Sequence, residues 1–120
     1  HTPDSISLLD TKANILFAAD FIYPGPLYGQ VPGANLADYL KSAEALLSEI
    51  NEQAQIFCAH GARDNNGKHR APVMNSQDIS DLRNTLTALK DSGKTPSETT
   101  INSRMTLLAN DAAYASWQTR

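Results

Sequence analysis

At Asn35 the spacing of apolar residues changes from about two to about 3.6, and that switch restricts the chain to folds in which strands feed helices. Leu36, Tyr39, Leu40, Ala43, Leu46, Leu47 and Ile50 then lie on one helical stripe. Asn35 supplies an N-cap, and Asp38, three residues on, sits where a carboxylate favours the positive end of the helix. A second stripe, Ile79, Leu82, Leu86 and Leu89, starts near Asn75 or Ser76 and stops at Gly93.

Strands are expected before and between these helices. Ser5 to Asp10 alternates, with Ile6 and Leu8 set against Ser5 and Ser7, as a half-buried strand does. Ile15 to Ala19 is apolar throughout, as in a strand covered on both faces, and the run ends in Asp20. Tyr23 to Pro32 holds three prolines and two glycines, which predicts a long structured loop with no regular element. A short strand is expected over Gln55 to Ala59, ending at His60-Gly61, and a polar loop over Ala62 to Lys68. The composition of 94–100 predicts a linker, and Ile101 to Trp117 reads as a turn and a final helix through Met105, Leu107, Leu108, Ala112 and Ala113. The order strand, strand, loop, helix, strand, helix is that of an α/β layer structure with helices on one face of a sheet. Three short strands leave the other face of that sheet without cover.

Composition narrows the function. The chain has 120 residues, of which 41% are hydrophobic and 19% charged, enough for one domain with a core. Ten basic residues scattered through a chain of net charge −3 give no footprint for nucleic acid or anionic lipid. The longest apolar run, Ile15 to Ala19, is too short for a bilayer span. The single cysteine, Cys58, forms no internal disulfide and suits a reducing compartment. The chain opens on His1 rather than Met, so a segment upstream is expected to have been removed.

Three polar residues stand at strand ends: His1 before the first, Asp20 after the second, His60 after the third. Strand ends at one sheet edge converge, and functional residues of α/β folds collect there. Imidazole and carboxylate are donors that zinc accepts, and a carboxylate can bridge two ions. Each residue also has a plain structural reading: a chain-end histidine, a turn aspartate, a loop histidine. Cys58 reads as a small packing residue, Lys68, His69 and Arg70 as a solvated loop, and Tyr23 and Tyr28 as loop anchors or substrate contacts.

His1-Thr2-Pro3-Asp4-Ser5, Leu16-Phe17-Ala18-Ala19-Asp20, Tyr23-Pro24-Gly25-Pro26 and Cys58-Ala59-His60-Gly61, in that order, resemble the later motifs of metallo-β-lactamase-superfamily hydrolases. The resemblance implies that residues 1–120 are the C-terminal half of an αββα sandwich, one βα half of that four-layer fold. It implies that His1 is a ligand of a first metal, Asp20 the bridging, catalytic carboxylate and His60 a ligand of a second metal. The implied cofactor is a pair of zinc ions, or another divalent transition metal, activating a hydroxide against an ester, thioester, lactam or related bond. The implied partners are a small-molecule substrate and the missing N-terminal half, because the His-x-His-x-Asp-His run that completes such sites is absent here. The isolated chain is then expected to be inactive and, with one sheet face bare, prone to form homo-oligomers. The sequence departs from the family pattern at Asp4, at Ala19, where Gly usually precedes the Asp, and at Cys58-Ala59. The alternative is a non-catalytic α/β module that assembles with a partner chain.

Overall fold

A computed structural model describes residues 7–58, 66 and 73–117. Among the described residues seven strands and three helices follow in order: β1 (Leu8–Asp10), β2 (Ile15–Ala19), β3 (Gly25–Gly29), α1 (Leu36–Glu49), β4 (Gln55–Cys58), β5 (Val73–Met74), α2 (Ser76–Ser92), β6 (Glu98–Thr100), β7 (Met105–Ala109) and α3 (Asp111–Tyr114), with a 3-10 turn over Ala115–Trp117. The strands form two sheets, ordered β1-β2-β4-β5 and β3-β7-β6. In each sheet one pair is parallel, β2 with β4 and β3 with β7, and the other pairs are antiparallel. The domain is mixed α/β, with one core shared by both sheets and both long helices. No described helix is long and apolar enough to cross a membrane.

Both long helices begin and end where local chemistry dictates. Asn35 Oδ1 accepts from the Asp38 N–H at 2.9 Å, and Leu36, Ala37, Leu40 and Ala43 are buried. At α2 the capping box is complete: Asn75 Oδ1 accepts from the Asp78 N–H, and the Asp78 carboxylate accepts from the Asn75 N–H. Gly93, at φ 69°, closes α2 in the left-handed region that costs glycine nothing. Ile79, Leu82 and Leu86 on α2 are fully buried, each contributing roughly 1.5–3 kcal/mol. Between β1 and β2 the Asp10 carboxylate accepts from the Lys12 and Ala13 N–H groups, an Asx turn finished by Asn14 at φ 59°.

Five expectations need correcting. Tyr23 to Pro32 contains β3, because β3 is an edge strand, where Pro26 can lack an N–H without breaking a second ladder. The stretch 94–100 ends in β6, and Met105 to Ala109 is strand β7 rather than helix: Met105, Leu107 and Ala109 are buried while Thr106 and Leu108 are less so. The helical part of that tail is confined to α3 and its 3-10 turn. The phase of β1 is also opposite to expectation, since Leu8 is 65% exposed and Leu9 packs on the core; Ser5 and Ile6 lie outside the described residues.

Nor is β2 covered on both faces. Leu16 and Ala18 point into the core, whereas Phe17 is 49% exposed. The pairings Leu8 with Phe17, Phe17 with Phe57 and Phe57 with Val73 place one apolar residue from each strand in a single row across the outer face of the four-stranded sheet. Phe17 and Phe57 stack with ring centroids 6.0 Å apart.

Candidate functional site

The edge where β2 and β4 end carries Asp20, one of the polar residues singled out in the sequence. The two strands run parallel, and Ala19 pairs with Cys58, so Asp20 leaves the sheet beside the end of β4. The register shifts between Phe17 and Ala19, a bulge that turns the strand end, and Ala19 sits at φ 51°. A left-handed alanine one residue before a candidate ligand marks a backbone held by its surroundings. The turn is completed by the Phe21 N–H, which donates to Ala18 O at 2.9 Å.

Of the three candidate ligands, Asp20 alone is described, half-buried at this edge; His1 and His60 lie outside the described residues, as do Ala59, Lys68, His69 and Arg70. Among the described residues no group of three or more His, Cys, Asp or Glu side chains could hold a metal ion. Asp20 supplies an oxygen donor of the kind zinc accepts, and a single residue, Ala59, separates the end of β4 from His60 in the sequence.

Tyr23 is 3% exposed and Tyr28 41% exposed, so only the second presents much surface. Burial pushes the Tyr23 phenol up to about 12; a hydrogen bond with the Tyr28 backbone opposes the rise, and the Tyr28 and Asp20 charges add to it by smaller amounts. Tyr28 lines a groove of about 580 Å³, together with Ser7, Phe21, Asp38, Tyr39 and Ser42. Phe21 directly follows Asp20, meets Tyr39 edge to face at 5.1 Å, and its carbonyl accepts the Tyr39 hydroxyl, whose pKa burial also raises. The groove has the volume of a small-molecule pocket and starts one residue from the candidate ligand.

Cys58 is the last residue of β4, and burial pushes its thiol up to about 12, with Asp78 raising it further and Arg104 opposing. A thiol held so high is not a nucleophile at neutral pH.

Two residues that sequence reading missed, Asp78 and Arg104, act electrostatically on this cysteine. Asp78, 2% exposed, forms an ion pair with Arg104 and accepts from Asn102 Nδ2 at 3.1 Å. The same Asn102 amide donates to Asp81 at 2.9 Å, and its Oδ1 accepts the Arg104 and Met105 N–H groups. In sequence, Asp78 resembles any N3 capping acid and Arg104 any turn residue. They lie 26 positions apart, and no local signal pairs them.

No family model matches the chain, and no solved structure matches it. An uncharacterized protein of Aquifex aeolicus (strain VF5) is 31% identical over 72 residues, which are 59% of this chain and 34% of that protein. The chain therefore spans about a third of the length of the relative it matches, and that likeness names no activity.

Proposed function

We propose that this chain is the C-terminal half of a zinc-dependent hydrolase resembling the metallo-β-lactamase superfamily, with Asp20 as its bridging carboxylate and His1 and His60 as further ligands. The observation that carries the reading is the pairing of Ala19 with Cys58 in parallel strands, which sets Asp20 and the strand leading to His60 at one sheet edge. Zinc held by such donors supplies a nucleophile from water near neutral pH and polarises the bond to be cleaved. The chain's own residues do the rest. Asp20 would be one of the residues holding the metal, the groove beside Phe21 and Tyr28 would take the apolar part of a small ester, thioester or lactam, and the Tyr23 phenol, kept protonated by burial, is no base at pH 7.

The partner half of the sandwich, with its His-x-His-x-Asp-His ligands, covers the row Leu8, Phe17, Phe57 and Val73. A sheet face bearing aromatic residues in register is suited to stacking on a second sheet about 10 Å away. The test is Asp20→Ala in the natural protein that contains this chain. The expected result is loss of bound zinc and a fall of more than about 100-fold in hydrolysis of an ester and thioester panel. Retained zinc and retained activity rule the assignment out.

A further inference from the structure

The groove of about 580 Å³ runs along one flank of α1. Asp38, Lys41 and Ala45 form one row of that flank, and Tyr39, Ser42 and Leu46 the next, at the three- and four-residue steps that bring helical side chains together. Phe21, from the turn after β2, and Tyr28, from β3, complete the lining. The two sides are tied to each other: the Tyr39 hydroxyl donates to the Phe21 carbonyl, and the two rings meet edge to face at 5.1 Å. A groove fixed in this way takes a ligand without first being ordered.

The lining sorts by character. Phe21, Tyr28, Tyr39 and Leu46 give aromatic and apolar surface, and Tyr28 is the exposed member of the set. Two charged residues stand among them, Asp38 and Lys41. Asp38 already has partners in the fold, whereas Lys41 is exposed and, among the described residues, enters no ion pair. The groove therefore offers aromatic walls and an uncommitted positive charge. A neutral hydrocarbon leaves that charge unused, and an amine is repelled by it.

We infer that this groove selects a monoanion, with an aromatic body lying against Tyr28 and the α1 flank and a carboxylate at its outer end against the Lys41 ammonium. Calling this ligand the substrate rests on the hydrolase reading above, and it then names the class: an ester or thioester whose aromatic acyl body ends in a carboxylate. The body supplies most of the affinity, because an exposed ion pair adds little by itself. What Lys41 adds is discrimination between a carboxylate and its neutral amide.

The test has a binding arm and a turnover arm. In the first, the 120-residue chain is titrated with phenylbutyrate and with neutral phenylbutyramide, followed by backbone amide chemical shifts. The carboxylate is expected to bind about fivefold tighter, with shifts centred on Ala34, Ser42 and Ala45, and added salt narrows the gap. Lys41→Gln, an exposed change between good helix formers, is expected to equalise the two probes, and Tyr28→Ala to weaken both. Equal binding in the unsubstituted chain, no binding, or shifts centred on Phe17 and Phe57 instead overturns the inference. In the second arm, the natural protein that contains this chain is given a matched pair of esters, one ending in a carboxylate and one in its amide. The acid is expected to have a kcat/KM about fivefold higher, and Lys41→Gln to remove the preference. If both esters are cleaved alike, the anion selection is wrong and the hydrolase reading survives. If neither is cleaved while the chain still tells the probes apart through Lys41, the hydrolase reading fails and the groove keeps its ligand class.

Discussion

Ala19 adopts φ 51°, a conformation that costs a residue with a Cβ roughly 1–2 kcal/mol. The strain falls at the bulge that delivers Asp20. Ala19→Gly relieves it but adds freedom to the unfolded chain, so the expected gain is about 0.5–1 kcal/mol in urea unfolding. A loss of stability instead means that the alanine methyl packs usefully. Burial acts on two tyrosines in the opposite sense to a salt bridge. Tyr23 and Tyr39 ionise later in the folded chain than in the unfolded one, so their contribution is complete below the ordinary tyrosine pKa of about 10 and is lost as pH rises above it. Each such group removes at most about 1.4 kcal/mol per pH unit in that window. The urea midpoint should fall steeply from pH 10 towards 12, and Tyr23→Phe should flatten the fall; a flat profile in the unsubstituted chain contradicts the burial of both phenols.

Elements whose signals are local were legible in the sequence, and those made by distant pairing were not. Asn75 and Gly93 bracket α2, the Leu36–Ile50 stripe locates α1, and Ile15 to Ala19 is β2 at its full length. β3 and β7 escaped because each is stabilised by the other, Gly25 against Met105 through Gly29 against Ala109, across some eighty positions of chain. No local pattern reveals a ladder built by that partner, and Leu107-Leu108 with Ala112-Ala113 imitates helical spacing. The site divides in the same way. Asp20 stood out because an apolar strand stops at a carboxylate, whereas the Asp78–Arg104 pair exists only once α2 and β7 meet. Gly29 tests the β3–β7 seam directly. A Cβ there would lie 2.6 Å from the Leu108 carbonyl oxygen, a backbone atom that cannot step aside. Gly29→Ala should therefore cost about 1–3 kcal/mol by forcing the two strands apart, read as a lower thermal midpoint. An unchanged midpoint shows that the seam has room to relax.

At the scale of the molecule, the two faces of the four-stranded sheet are unequal. One carries Leu16, Ala18, Ile56 and Met74 into the core, and the other holds the row from Leu8 to Val73, about 14 Å across at ordinary strand spacing. Leu8 is 65% and Val73 43% exposed, so the ends of the row present apolar surface. Phe17 lies inside the row and stacks on Phe57, so its replacement by Thr removes an aromatic pair worth roughly 0.5–1.5 kcal/mol but leaves the core untouched. Two quantities then separate. Stability of the isolated chain should fall by no more than that amount, while dye binding to exposed apolar surface and concentration-dependent self-association should drop sharply, by fluorescence and by sedimentation. If the row is instead ordinary surface, Phe17→Thr changes neither dye binding nor association, and the proposed layer has no seat on this face.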